Sequence, residues 1–141
     1  MTAENSKRFI AILNKKIEVG RLMNALGHMT AGLSGGFGIQ DQMGFIPYID
    51  GDEGLHPNIS NFAFIILKAD NSNQIRKVRT EALSRGVKFT DFTHTMIVGT
   101  SKEQIERTKN TKELDLEYFG ICMFGDSEVL KEFTSKFSLF N

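Results

Sequence analysis

The sequence predicts one α/β domain over residues 1–141, a three-layer arrangement with a small mixed sheet of about four strands and helices on both faces. Three observations carry that prediction. Apolar runs of strand length recur at 9–13 (FIAIL), 62–67 (FAFIIL) and 118–124 (YFGICMF). Segments with helical spacing lie between and after them. The resulting order, strand, helix, loop, strand, helix, strand, strand, helix, alternates the two element types as layered α/β domains do.

The elements follow in order. Residues 9–13 read as a strand buried on both faces, and Asn14-Lys15-Lys16 turns the chain into the first helix. That helix places Val19, Leu22, Met23, Leu26, Met29 and Leu33 on one stripe. Residues 34–58 are the longest irregular stretch, holding both prolines and an apolar knot at 45–49, and such a stretch suits a functional loop, a lid or a dimer arm. After the second strand, Asp70, Asn71 and Ser72 are capping candidates for a helix through Ile75, Val78 and Ala82 that stops at Gly86. Residues 87–89 make a short strand, 96–98 a brief extended piece, and 101–112 one or two loose helical turns. The last strand leads to a helix starting at Ser127, with Val129, Leu130 and Phe133 inward.

Composition narrows the function classes. Lys+Arg and Asp+Glu both number 17, so no global basic field attracts nucleic acid. The lone Cys122 excludes an internal disulfide and fits a buried thiol in a reducing cytoplasm. The opening MTAENSKR has no leader-like apolar segment, and no apolar run has membrane-spanning length.

Two polar clusters are candidates for a site. Arg21, Asn24 and His28 are three and four residues apart, so they stack on one helix side among the small residues Ala25, Gly27, Ala31 and Gly32. A charge, an amide and an imidazole on a shallow face form a natural binding surface, although a solvated helix side has the same look. Asp91, Thr93, His94 and Thr95 follow a strand, where α/β sheets bind ligands. There a carboxylate can orient an imidazole or water, and hydroxyls can donate to an anion; a capped turn uses the same residues. The expectation is one pocket lined by Arg21, Asn24, His28, Asp91 and Thr95, with Thr93 and His94 beside it.

Other motifs are weaker. The run 32–38 (GLSGGFG) follows a helix and lacks a Gly-Lys-Ser/Thr ending, so it reads as a flexible helix exit. Arg76, Lys77, Arg79, Arg85 and Lys88 give the second helix a basic face, read here as solvated. Three histidines and one cysteine without close spacing offer no metal site, and no cofactor is expected.

The two clusters resemble the type II peptidyl-tRNA hydrolases. Gly20-Arg21 with His28 seven residues on is similar to that family's Gly-Lys and His. Asp91-Phe92-Thr93-His94-Thr95 keeps the Asp and final Thr of its Asp-Ala-Gly-x-Thr motif, and Gly99-Thr100 is similar to a following pair. Arg21 stands for the lysine, Phe92-Thr93 for Ala-Gly, and Met96 for a glutamine. The segments HPNISNFAFIILKA and LEYFGICMFGD, with Asn24-Ala25 and Phe89-Thr90, look closer to an uncharacterised bacterial domain family of unknown function in the same superfamily.

The resemblance implies a peptidyl-tRNA hydrolase II-like fold and a hydrolase-like site for an ester or acyl bond, with a small-molecule or tRNA-linked substrate. In that scheme Asp91 orients a water or the histidine, His28 moves the proton, and Thr95 and Arg21 stabilise negative charge. Arg21 holds its proton at neutral pH and cannot act as an acid or base, so peptidyl-tRNA cleavage is expected to be weak or absent. The alternative is a non-catalytic module binding a small anionic or amide-bearing ligand through Arg21, Asn24, His94 and Thr93, in a homodimer.

Overall fold

The computed structural model describes residues 5–141. Strands β1 (Lys7–Asn14), β4 (Phe64–Ala69), β5 (Lys88–Thr93), β6 (Tyr118–Asp126) and β7 (Ser138–Leu139) form one sheet in the order β5-β6-β1-β4-β7. β1 and β4 are parallel, while the β1–β6, β5–β6 and β4–β7 pairs are antiparallel. β5 therefore runs in the same direction as β1, and their carboxyl ends share one sheet edge. Helix α1 (Val19–Gly36) covers one face. Helices α2 (Ser72–Arg85) and α4 (Ser127–Thr134) cover the other. The short helix α3 (Ser101–Lys109) packs beside the 3-10 turn at His94–Met96. A separate hairpin joins β2 (Phe45–Ile49) to β3 (Leu55–Ser60).

The mixed sheet with helices on both faces is as expected, but it has five strands rather than about four, with the hairpin in addition. The extra strand is the apolar tail, too short at two residues to show a period. The knot at 45–49 is β2, and the stretch at 101–109 is a regular helix. The Thr100 hydroxyl caps the Glu103 N–H of α3 while Glu103 reaches back to the Thr100 N–H, a reciprocal pair that fixes the first turn. Residues 94–96 are a 3-10 turn and not part of an extended piece. The opening read as leaderless lies partly outside the described residues, at 1–4.

Alternation along β1, and along β6 beyond Phe119, the extra residue at the register shift with β5, separates two cores. Phe9, Ala11, Leu13, Phe119 and Cys122 meet Leu22, Ala25, Met29 and Leu33 of α1. Ile10, Ile12, Ile121 and Met123 meet Ile75, Val78 and Ala82 of α2 and Leu130 of α4. The α1 stripe is narrower than its spacing predicts, because Val19 and Met23 are exposed and Leu26 is half-buried. The helix sits close enough to the sheet that a Cβ on Gly120 of β6 would approach Met29 and the Ile12 carbonyl to 3.0 Å. Asn71 caps α2 by accepting from Gln74 N–H, and Gly86 ends it in the left-handed region at φ 67°, a conformation that costs glycine little.

Cys122 is buried, and burial pushes its thiol pKa up to about 12, which keeps it protonated and unreactive. Among the described residues no helix is long and apolar enough to cross a membrane.

Candidate functional site

Helix α1 presents Arg21, Asn24 and His28 to solvent at the carboxyl edge of the sheet, because Leu22, Ala25 and Met29 occupy its inward side. None of the three side chains makes a hydrogen bond or ion pair with a described residue. The His28 ring lies 5.8 Å from the ring of Phe92 on β5. Two adjoining hollows open on this face. One, of about 500 Å³, is lined by Asn24, His28, Thr90, Phe92, Met96 and Gln104 among others. The second, of about 340 Å³, lies over Arg21 and Gly20, and the two share Asn24 and Ile97. Each is within the range of small-ligand clefts. Thr90 Oγ1 donates to the Met29 carbonyl at 2.7 Å, which fixes the floor of the cleft against the helix.

The other predicted residues are placed differently. Strand alternation sends Thr90 and Phe92 toward α1 and Asp91 toward α2. Asp91 borders the cleft, yet its carboxylate accepts from Arg79 Nε at 3.0 Å on the opposite sheet face from His28. Burial raises the Asp91 pKa despite the opposing pull of Arg79. Thr95 is buried, and its hydroxyl meets Thr93 Oγ1 at 2.6 Å and accepts from Thr108 Oγ1 at 2.8 Å. These threonines join the end of β5 to α3. His94 Nδ1 accepts from the Glu117 N–H at 3.0 Å, tying its turn to the start of β6. The expectation of one pocket is corrected accordingly. Arg21, Asn24 and His28 come together, while the Asp91 carboxylate and the Thr93, His94 and Thr95 side chains serve the fold.

Gln104 is a cleft residue that the sequence reading missed. Its Nε2 donates to the Gly99 carbonyl at 3.2 Å, and it reaches the cleft because α3 is a true helix. The Thr100-x-x-Glu103 spacing was the signal for that helix.

Two other hollows carry weaker chemistry. One, of about 770 Å³ between α2 and α4, has Arg85 bound to both Glu81 and Glu132 in its lining, with Lys77 and Lys136 beside them. The basic face of α2 is solvated only in part: Arg76 meets Glu113 at 2.7 Å and Arg79 meets Asp91, while Lys77 and Lys88 are exposed. The other, about 420 Å³, lies where α1 and α2 leave the adjacent strands β1 and β4 for opposite faces, a common ligand location. There the Asn14 amide is already engaged, donating to the Tyr118 carbonyl and accepting from Lys16 N–H, both at 3.0 Å. Among the described residues no group of three His, Cys, Asp or Glu side chains is placed to hold a metal ion.

A protein of unknown function from Agrobacterium tumefaciens strain C58 has a similar structure, with a TM-score of 0.81 at 16% identity over 96% of this chain and 98% of that one. At that identity the likeness concerns the fold alone. No curated protein matches the sequence. The model of the DUF2000 family, described as proteins of unknown function, matches residues 7–141, and the chain belongs to that family.

Proposed function

We propose that the outer face of α1 is a binding site for a small ligand carrying an anionic group and an amide or acyl group. The observation behind this reading is that three polar side chains of complementary chemistry, Arg21, Asn24 and His28, line two adjoining hollows that meet at Asn24, and that none of the three has a hydrogen-bond or ion-pair partner among the described residues. Arg21 supplies a fixed positive charge for a carboxylate or phosphate. Asn24 can both donate to and accept from an amide, and Phe92, Met96 and Ile97 give the apolar wall. A reducing cytoplasm suits the single buried thiol.

A second reading, hydrolysis of an ester or acyl bond at the same place, draws on the exposed imidazole of His28 beside the cleft and on the resemblance to type II peptidyl-tRNA hydrolases. It is the weaker of the two, because the Asp91 carboxylate is engaged by Arg79 on the other sheet face and does not orient His28. N-acetylglycine, which has both a carboxylate and an amide, is a suitable probe. Calorimetry should detect its binding, and Arg21→Ala should weaken it at least about tenfold. The same protein should turn over peptidyl-tRNA at well below about 1 s⁻¹, the low end of ordinary enzyme rates. Turnover at ordinary rates that is lost in His28→Ala would put hydrolysis first. Binding unaffected by Arg21→Ala would refute the site.

A further inference from the structure

We propose that the β2–β3 hairpin is a dimerisation arm that docks on a second copy of this chain, independently of what the cleft binds. The hairpin is a sheet of its own. Its pairing register puts Ile46, Tyr48 and Ile59 on one face and Phe45, Ile49 and Leu55 on the other. These six side chains are 38–66% exposed in the single chain. A hairpin with one wet face alternates apolar and polar residues, and an isolated two-stranded hairpin is marginal in water. Apolar side chains on both faces require cover on both.

The arm is nonetheless firmly built. At its base Asn61 N–H donates to the Gly44 carbonyl at 2.8 Å, and Ser60 Oγ donates to the Met43 carbonyl at 2.5 Å. At its tip Asp50 accepts from Asp52 N–H, Gly54 N–H and His56.

Area and charge favour a second copy as the occupant. At roughly 100 Å² for each half-exposed large side chain, two arms offer on the order of 1,200 Å², above the about 1,000 Å² a specific interface needs. The strands carry no Lys, Arg, Asp or Glu, so the arms meet through their strands without burying a formal charge, and the acids Asp50, Asp52 and Glu53 are confined to the tip, where they stay in water at the rim of the interface. One face of each arm packs on the partner's arm across a two-fold axis, and the other packs on the partner's body.

Sedimentation equilibrium of the full chain at micromolar concentrations should give a dimer. Two double variants test the faces separately: Ile46→Glu with Ile59→Glu, and Ile49→Glu with Leu55→Glu. Each should weaken dimerisation at least about 100-fold. Circular dichroism should show the main sheet and its cooperative melt retained, since the arm lies outside both cores. Hydrogen exchange at residues 45–60 should slow with rising wild-type concentration. A wild-type monomer across that range would overturn the proposal and leave the arm to a different protein. A dimer insensitive to both double variants, or exchange at 45–60 independent of concentration, would also overturn it.

Discussion

Asp91 and His28 flank the same stretch of β5 from opposite sheet faces, and their surroundings differ. On the α2 face the groups nearest β5 and β6 have partners: Arg79 with Asp91, Arg76 with Glu113, and Tyr118 Oη donating to Glu113 at 2.8 Å. Arg76 and Arg79 also lie over the rings of Tyr118 and Phe89. On the α1 face Arg21, Asn24 and His28 have no such partners. Half-buried charges that satisfy one another hold a fold together. Polar groups gathered around a hollow and left free are available to something else. The strength of a polar cluster in sequence therefore says little about function until the pairing is known.

The largest test of this contrast concerns the anchoring of α1. Leu22→Ala should cost about 2–5 kcal/mol of stability by urea unfolding, since Leu22 is buried under the free polar face. Leu26, half-buried, should cost about 1–2 kcal/mol. If Leu26→Ala proves the more damaging, the helix is rotated and the two faces are misassigned.

Next comes the paired face. Arg79→Ala leaves a largely buried carboxylate without its partner and should destabilise by about 1–3 kcal/mol, reduced from the fully buried case because both groups keep some solvent contact. N-acetylglycine affinity should stay within about twofold of wild type, a shift of under ~0.5 kcal/mol. A binding loss as large as that in Arg21→Ala would merge the two faces into one site.

Stability against pH sharpens the comparison further. Burial holds the folded-state pKa of Asp91 above its ordinary 3.8, so the folded chain keeps this proton to higher pH than the unfolded chain. Its contribution to stability is therefore full below the ordinary value and declines as pH rises through the raised one. Asp50 has the opposite sign. Its hydrogen bond to His56, with help from Gly54 and Asp52 N–H, lowers its pKa, so its contribution exists above 3.8 and is lost as pH falls through the lowered value. Urea titrations of Asp91→Asn and wild type from acid to neutral pH should show the wild type losing its relative advantage as pH rises above 3.8. The reverse slope would mean that the Arg79 pairing outweighs burial.

The smallest stability effects belong to the free face. Arg21→Ala, Asn24→Ala and His28→Ala should each stay within about 0.5 kcal/mol of wild type, because each removes an exposed group without a hydrogen-bond or ion-pair partner. A larger loss in any of them would reveal a structural role.

Much of the fold was legible because its signals are local. The apolar runs of β1, β4 and β6, the Asn71 cap and the Gly86 stop all lie within a few residues of the elements they define. The free face of α1 was legible for the same reason, since helical spacing alone puts Arg21, Asn24 and His28 together. The split of the second cluster was not. Whether Asp91 joins His28 depends on β5 continuing to Thr93, and that extension is set by pairing with β6, where Asp91 lies opposite Ile121. A strand ending at Phe89 leaves Asp91 in a loop, free to face either way; a strand through Thr93 commits it to α2. Beyond the register shift between Phe92 and Thr93, where Phe119 is the extra residue of β6, Thr93 and Thr95 are buried, which no local pattern encodes. The two-residue strand β7 was hidden because it exists only by pairing with Leu67 and Lys68.

Amide chemical-shift perturbation with N-acetylglycine decides whether the free face of α1 binds a ligand. Saturable shifts are expected at Asn24, His28, Phe92 and Ile97, with Arg79 and Arg85 unmoved, and they should vanish in Arg21→Ala. Shifts centred on the α2–α4 hollow, or a pattern at α1 that survives Arg21→Ala, would rule the site out.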